Sequence, residues 1–426
     1  MGRLLHRSGL VPPRVHILLV VAVTFLALLA GAGLRATPGV LMLPLHLQFG
    51  WDRATISLTA AVGIFLYGLA GPFAAALMLS FGIKRTMLGG LILMAGATFA
   101  SLWMHTKLEY MLCWGVFSGI GSGAVTSVLG AAIVNRWFAT RQGLVMGLLS
   151  ASTATGALVF LPLLAWLSAQ GGWRPVVFTV SLVCLILVPV VALVLPEHPQ
   201  DIGTRRFGEA EDAPPPPQQP RNAGLAIQVL QRAGRRPVFW LLFGTFFICG
   251  LTTNGLVGTH MIALCGDHGV PPVAAASLLS MMGFFDLFGT TASGWLTDRY
   301  DPRLLLTMYY GLRGLSLMAL PFLTFDAAHL GVFAVFYGLD WIATVPPTLK
   351  LANQAFGERE APIVFGWIQT GHQMGAAVAA FGAGVIREQT GSYLPAFLAA
   401  GALGVIAAGI LLASRKVPQA VAIEGA

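Results

Sequence analysis

Long, uninterrupted apolar runs, such as Ile17 to Gly33 and Val176 to Leu195, dominate the sequence. Their length matches the roughly 20 residues that an α-helix needs to cross a bilayer. The strands of a membrane barrel would instead alternate apolar and polar residues over stretches of about ten. Only 10% of the residues are charged, against about 25% in ordinary soluble domains. The chain is therefore expected to be an all-α integral membrane protein and not a soluble enzyme.

Twelve such runs can be placed along the chain, and we call them spans 1 to 12. They cover residues 16–47, 54–80, 86–105, 108–134, 142–169, 175–196, 237–264, 273–297, 303–323, 327–350, 361–386 and 393–414. One long polar stretch, from about Pro196 to Arg236, separates them six and six. Its composition is typical of a flexible linker. The predicted domains are a six-helix bundle at 1–196, a cytoplasmic linker at 197–236 and a second six-helix bundle at 237–426.

The positions of the basic residues predict the orientation of the spans. Nineteen of the 25 Lys and Arg residues fall in the chain ends and the even-numbered loops. Four fall on the opposite side, and Arg35 and Arg313 fall inside spans. Because positive residues stay on the cytoplasmic side, we expect both termini in the cytoplasm. We expect the membrane to be a bacterial inner (plasma) membrane. The net charge of +8 thus indicates topology in a lipid bilayer and not nucleic-acid binding.

A weak internal repeat at an offset of 218 to 219 residues relates the two halves. Three pairs of segments match at corresponding spans: Asn135–Phe138 with Asn353–Phe356, Gly172–Phe178 with Gly391–Phe397, and Phe81–Lys84 with Tyr300–Arg303. The repeat predicts two pseudo-symmetric bundles of six helices. Two similar bundles can expose a central site alternately to each side of the membrane, which is the design of a carrier.

The loop after span 8, Gly294-Trp-Leu-Thr-Asp298-Arg299-Tyr-Asp-Pro-Arg303, resembles the Gly-x-x-x-Asp-Arg-x-Gly-x-Arg/Lys signature of the major facilitator superfamily. The resemblance implies the major facilitator fold. It also implies that Gly294, Asp298, Arg299 and Arg303 form a conformational latch at the cytoplasmic ends of helices. The first-half copy departs from the signature, with Leu79 and Ser80 in place of Asp and Arg.

A second resemblance points to one branch of that superfamily. The segment Asn135 to Gly147, which leads to Gly156 and to Phe160-Leu-Pro162-Leu, is similar to the junction of helices four and five in monocarboxylate transporters and oxalate–formate antiporters. This implies a secondary active transporter of a small organic anion, with a monocarboxylate as one candidate, coupled to protons. A Gly-Pro-x-x-Gly-Gly stretch, usual on helix five of proton-coupled drug antiporters, is absent.

Five ionisable residues lie deep in the predicted spans, where a charge costs about 2.5–3.5 kcal/mol on insertion scales. They are Arg35, Asp286, Arg313, Asp340 and His372. Asp286 shares a helical face with Gly283, Thr290 and Ser293, which predicts a face toward water or substrate. We interpret Asp286 as a proton-coupling carboxylate that takes up a proton when desolvated. The alternative is a structural ion pair with a cation on a neighbouring helix.

Asp340 shares a face of span 10 with Tyr337, Thr344 and Thr348, and it adjoins Trp341. It is followed by Pro346-Pro347, which weakens a helix. Proton or substrate handling and membership of a buried polar network remain equal alternatives for Asp340. It could also share a proton with Asp286. Tyr337 and Trp341 are candidate substrate-binding residues beside it.

Arg35 and His372 are the cationic candidates for binding a substrate carboxylate. Arg35 precedes Thr37-Pro38-Gly39, where a broken helix could line a cavity, although an interfacial arginine is an equal alternative. Histidine changes charge near neutral pH, and the resemblance aligns His372 with a substrate-pairing lysine of oxalate–formate antiporters.

Asn254 and Thr290 complete the predicted set of substrate-binding residues. Asn254, one repeat offset from Arg35, is a candidate neutral wall of the same site. Both carboxylate-transporting families carry an arginine at the position of Thr290, and a threonine cannot neutralise an anion. Either Arg35 and His372 supply the positive charge, or the substrate is not a simple carboxylate. The superfamily resemblance implies that span 9, the third helix of its three-helix unit, packs at the periphery, so Arg313 is expected to be a structural partner for an acid.

Two other functions remain open. One is a proton-coupled exporter of a cationic or neutral amphiphile, held by Asp286, Asp340 and Trp341. The other is a transporter-derived sensor without flux. An enzyme is not expected, because no His-Glu-x-x-His motif or cysteine cluster occurs. We expect no cofactor or metal, four free cysteines used as small apolar residues, and a monomer whose partners are a small-molecule substrate, protons and lipid.

Overall fold

The computed structural model describes residues 13–51, 53–210 and 224–414, and most of these residues are helical. Spans 1 to 6 are the helices Pro13–Phe49, Arg53–Phe81, Ile83–Ala100, a composite helix over Lys107–Trp137, Gln142–Gly171 and Trp173–Val194. Spans 7 to 9 are a composite helix over Pro237–Asp267, then Pro272–Arg299 and Pro302–Ala319. Span 10 begins with Ala327–Asp340, and spans 10 and 11 share the helix Val345–Thr390, which is kinked at Gly357. Span 12 is Leu394–Ala413.

Among the described residues, nine helical segments are long and apolar enough to cross a membrane, and one of them, Ala327–Thr390, contains both span 10 and span 11. Gln142–Gly171 and Pro302–Ala319 supply the other two helices at the predicted positions. The all-α architecture and the approximate places of the twelve spans are confirmed.

The chain divides into two compact units. In the described residues, the first unit runs to Gln142 and resumes from Ser152 to Gln228. The second contains the short segment Gly143–Ala151 and the residues from Val229 onward. The predicted domain boundaries at 196 and 237 stay a prediction.

Glycines let the helices of the second unit approach closely. A Cβ built on Gly250 of span 7 would lie 1.9 Å from the carbonyl oxygen of His372 in span 11, and one on Gly289 of span 8 would lie 1.9 Å from that of Leu339 in span 10. Small residues permit such backbone contact between membrane helices. Spans 7 and 11, and spans 8 and 10, are therefore packed backbone to backbone.

The structure decides helix continuity in spans 1 and 10. The break expected in span 1 at Thr37-Pro38-Gly39 is absent, because Pro13–Phe49 is one continuous helix in which the Thr37 hydroxyl donates to the carbonyl of Gly33 at 2.9 Å. Span 10 was predicted over 327–350 with a helix-weakening Pro346-Pro347 pair, and the structure places the interruption just before that pair, at residues 341–344. Pro346 and Pro347 then lie in the first turn of the next helix, where a missing N–H costs little. We call residues 341–344 the span-10 break.

The start of the predicted flexible linker is anchored to the first unit. The Glu197 carboxylate accepts the backbone N–H groups of Ile83 at 2.6 Å and Lys84 at 3.0 Å, and it pairs with Arg136. Farther on, Phe207 N–H donates to the carbonyl of Trp137 at 2.8 Å. Residues 211–223 of the linker, with its proline run, lie outside the described residues, and a helix, Leu225–Ala233, follows them.

Replacing Gly250 by alanine tests the close approach of spans 7 and 11. The new methyl group would collide with the His372 carbonyl, so we expect Gly250→Ala to lower the free energy of unfolding by about 1–3 kcal/mol. Gly244, in the same helix, is the matched control, because no atom of another described helix lies within 4 Å of its built Cβ. Gly244→Ala should be neutral or slightly stabilising. Thermal unfolding of the purified variants measures both, and equal melting temperatures would contradict the packing.

Candidate functional site

Asp286 is fully buried near the middle of span 8. Its Oδ1 accepts two hydrogen bonds, from the Thr290 hydroxyl at 2.6 Å and from the backbone N–H of Ile342 at 2.9 Å. No donor from the described residues reaches Oδ2. One oxygen of this carboxylate is therefore bound to the protein, and the other is open to a proton.

The sequence predicted that the polar face of span 8 points toward water or substrate. In the structure this face is buried instead. Asp286, Thr290 and Ser293 are all completely buried. This face packs on the span-10 break: Asp286 binds the N–H of Ile342, and the Ser293 hydroxyl donates to the carbonyl of Ala343 at 2.5 Å. The polar side chains compensate for backbone bonds that the break removes, since no water replaces them inside a membrane.

Arg313 of span 9 is an ion-pair partner for Asp340, which confirms the expectation that it pairs with an acid. Its Nε donates to Asp340 Oδ2 at 2.8 Å, and its Nη2 donates to the carbonyls of Asp340 and, at 3.2 Å, Trp341. Its Nη1 lies 3.1 Å from the sulfur of Cys249. The same sulfur lies 3.2 Å from the Thr344 hydroxyl. Cys249 is thus part of a polar cluster, contrary to its expected apolar role.

The two aromatic candidates in span 10 contact each other, with the rings of Tyr337 and Trp341 packed edge to face at 5.6 Å between centroids. The Tyr337 hydroxyl donates to the carbonyl of Thr252 at 2.9 Å. Thr252 lies in a π-helical turn of span 7, Leu251–Val257, which also contains Asn254. The side chain of Asn254 is exposed, that of Trp341 is half-buried and that of Tyr337 is buried. Of these three predicted substrate-binding residues, Asn254 and Trp341 are therefore accessible.

His372 of span 11 is 8% exposed, and its ring lies 5.2 Å from that of Phe246. Its Nδ1 has no hydrogen-bond partner within the described part of the chain. The same holds for Oε1 of Gln369, which is also 8% exposed and lies one turn earlier. A buried polar atom without a partner is unusual. The pair offers a donor or acceptor nitrogen and an acceptor oxygen to a ligand.

Arg35 lies in the first unit, half-buried in span 1. Its guanidinium stacks over the ring of Tyr67 at 4.4 Å from the centroid, and Nη1 has no partner in the described ranges. A guanidinium on an aromatic face keeps its in-plane donors available. The geometry therefore gives Arg35 a free donor, although the helix around it is unbroken.

Within the second unit, Asp298 binds the backbone at the start of the segment Gly143–Ala151. Its two carboxylate oxygens accept the N–H groups of Gly143 at 2.8 Å and Leu144 at 3.0 Å, at the start of the segment Gly143–Ala151. Gly294 approaches Gly143 so closely that a Cβ on it would lie 2.3 Å from the Gly143 carbonyl oxygen. A carboxylate at a helix N-terminus is electrostatically favourable.

The two arginines predicted for the same latch bind elsewhere. Arg299 stacks on Trp295 at 3.9 Å from the ring centroid. Arg303 pairs with Asp301 at 3.0 Å and donates to the carbonyl of Ser414 at 2.7 Å. The latch role of all four residues stays a prediction.

Sequence reasoning missed Cys249, Gln369 and the span-10 break. The pair Pro346-Pro347 marked the break, but no residue pattern marked Cys249 as a partner of Arg313. In the part of the chain that the structure describes, no group of three His, Cys, Asp or Glu side chains is placed to hold a metal ion.

Comparisons with known proteins agree on one family. The profile of the Major Facilitator Superfamily matches residues 20–380. Monocarboxylate transporter 13 of Rattus norvegicus is 28% identical over 385 residues, which cover 89% of this chain and 84% of that protein. The uncharacterized MFS-type transporter YcxA of Bacillus subtilis (strain 168) is 23% identical over 359 residues, covering 83% of this chain and 84% of that protein.

Two solved structures resemble the chain along nearly its whole length. The proton:xylose symporter XylE superimposes with a TM-score of 0.72 at 12% identity, covering 96% of this chain and 97% of that one. The E. coli fucose:proton symporter FucP gives a TM-score of 0.65 at 17% identity, covering 93% of this chain and 100% of that one. At these identities the likeness is one of fold.

Removing Arg313 tests the buried ion pair. Arg313→Met would leave the Asp340 carboxylate buried without its cation, so we expect the free energy of unfolding to fall by about 3–5 kcal/mol. Adding Asp340→Asn to that variant should recover part of the loss, because it removes the unpaired charge. The exposed Arg235 provides the control, Arg235→Met. If thermal unfolding of Arg313→Met matched that of Arg235→Met, the pair would not stabilise the protein.

Proposed function

The chain belongs to the major facilitator superfamily, and we propose that it is a secondary active transporter that carries a small organic anion with protons by alternating access. The family match and the structural likeness confirm the predicted twelve-helix fold of two six-helix bundles in an integral membrane protein. They also confirm that the protein is a transporter-family member and not an enzyme. The relatives named monocarboxylate transporters support a monocarboxylate as the substrate class.

The observation that carries the coupling proposal is the divided carboxylate of Asp286. Its side chain is completely buried, Oδ1 holds two donors, and Oδ2 meets none in the described residues. A proton can bind Oδ2 without displacing an existing hydrogen bond. Such an ionisable group inside a membrane protein marks a proton or substrate path.

Asp340 is a weaker candidate for proton coupling than the sequence indicated. Its Oδ2 is held by the Arg313 guanidinium at 2.8 Å, although Oδ1 lacks a partner in the described ranges. A guanidinium bound to a carboxylate favours its charged form and competes with a proton for the same oxygen. Asp286 therefore carries the proton in our proposal, and Asp340 holds Arg313.

In our proposal Arg35 supplies the positive charge that binds the anion, and His372 supplies a further hydrogen bond. Arg313 is unsuitable, because its donors are engaged by Asp340, Trp341 and Cys249. Arg35 has a free Nη1 and His372 a free Nδ1 within the described residues. Guanidinium pairs well with a carboxylate through two parallel hydrogen bonds. Thr290 is excluded as a direct contact in this state, since it is buried and bonded to Asp286.

The exporter of a cationic amphiphile remains the second candidate, and the contacts support it less. It requires Asp286, Asp340 and Trp341 to hold a cation together, but Arg313 already neutralises Asp340. Only Asp286 would remain as an unpaired acid. A sensor would bind ligands without moving them, so measured flux separates it from both transporters.

Neutralising Asp286 should uncouple transport from the proton gradient. In wild-type proteoliposomes, an inward pH gradient of one unit should drive about tenfold accumulation of pyruvate or lactate at one proton per substrate. Asp286→Asn keeps an acceptor for Thr290 and Ile342, so exchange of labelled for unlabelled substrate should continue while accumulation falls to about onefold. Glu388→Gln, at an exposed carboxylate of span 11, is the control. Tenfold accumulation by Asp286→Asn would refute the coupling role.

Neutralising Arg35 separates the two transporter proposals. A hydrogen bond to a charged group contributes about 1.5–3 kcal/mol, so Arg35→Gln should raise the KM for pyruvate exchange at least tenfold. Arg174→Gln, at an exposed arginine of the same unit, should leave the KM unchanged. Efflux of the lipophilic cation tetraphenylphosphonium, measured in the same vesicles, should be absent from the wild type. Cation efflux that survives Arg35→Gln would favour the exporter.

A further inference from the structure

The span-10 break has its backbone groups bound by side chains from two neighbouring helices. Arg313 of span 9 donates to the carbonyls of Asp340 and Trp341. From span 8, Asp286 accepts the N–H of Ile342, and Ser293 donates to a third carbonyl. A helix interruption frees such groups in a medium without water, and each must find a partner. The break is therefore a defined structure held from two sides.

We infer that Arg313 is a positioning residue for transport: besides serving as the counter-ion of Asp340, it holds the span-10 break by binding the carbonyl of Asp340, just before the break, and that of Trp341, its first residue. This inference rests on the proposed transport function. A counter-ion needs only the contact from Nε to Asp340 Oδ2 at 2.8 Å. Nη2 lies instead between the carbonyls of Asp340 and Trp341. Only the planar guanidinium fork can make these contacts at once.

The break links Arg313 to the residues proposed for transport. Trp341 begins it, and its half-buried indole contacts Tyr337. Ile342, one residue later, is bound by the proton-carrying Asp286. Because a charged acceptor forms the stronger hydrogen bond, a proton on Asp286 loosens the break on the side of span 8. Arg313 fixes it on the side of span 9.

Other titratable side chains surround this cluster and belong to the same electrostatic environment. They are Asp340 and Tyr337 on span 10, Cys249 on span 7, Tyr309 and Tyr310 on span 9, and His372 on span 11. Arg313 is the one permanent cation among them. Its donors join spans 7, 9 and 10 at a single point.

Rescue experiments distinguish positioning from charge neutralisation. We expect Arg313→Met to reduce the Vmax of pyruvate exchange at least tenfold, with the KM changed less than threefold, because the proposed anion-binding groups are untouched. Asp340→Asn added to it should restore stability in part but not Vmax. Arg313→Lys should also fail to restore Vmax, because an ammonium cannot span both carbonyls and the carboxylate. Recovery of Vmax in either variant would overturn the inference and leave a counter-ion role.

The thiol of Cys249 reports on the break independently of flux. With Cys113, Cys184 and Cys265 replaced by serine, alkylation of Cys249 by N-ethylmaleimide should be at least tenfold faster in the Arg313→Lys protein, which keeps a cation beside the thiol but cannot hold both carbonyls, than with Arg313 intact. Gly244→Ala in that background is the control and should label at the parent rate. Unchanged labelling would overturn the inference even if transport is lost. Absence of pyruvate exchange in the wild type would instead refute the proposed function and leave the labelling test valid.

Discussion

The second unit depends on one constraint: a backbone group inside the bilayer must be bound by the protein, because no water is available to bind it. The span-10 break concentrates this demand at four residues. Asp286, Ser293 and Arg313 meet it, and all three are essentially buried. Polar side chains, whose burial in a membrane helix costs free energy, therefore lie beside the break. One of them, Asp286, has a carboxylate oxygen without a partner in the described residues.

The same demand sorts the charged residues by role. Arg313 binds the Asp340 carboxylate and two backbone carbonyls, so its charge is neutralised within the protein. Oδ1 of Asp286 accepts the backbone N–H of Ile342, and Oδ2 has no hydrogen-bond partner in the described residues. Arg35 and His372 keep nitrogens without partners in the described ranges. A buried charge that is fully paired supports architecture, whereas an incompletely paired one can bind a ligand or a proton.

Carboxylates at helix starts solve a related problem. Glu197 in the first unit and Asp298 in the second each accept two successive backbone N–H groups. The first amides of a helix have no partner within it, and negative charge there is favourable. The first-half signature has lost its acid, with Leu79 and Ser80 in its place. Glu197, more than 100 residues from the amides it binds, caps span 3 in that half.

The sequence by itself determined the all-α membrane class, the approximate positions of twelve spans and the short set of ionisable residues worth examining. Hydropathy decides these features, since each span must be apolar along its own length. The resemblance to the superfamily, and not hydropathy, led to Arg313 as the partner of an acid. Only the tertiary structure decided that Asp286 faces a broken helix and not water, that span 1 is unbroken at Pro38, and that Cys249 lies against a guanidinium. These outcomes depend on which backbone groups a neighbouring helix leaves unbound, and the periodicity of a single helix does not contain that information.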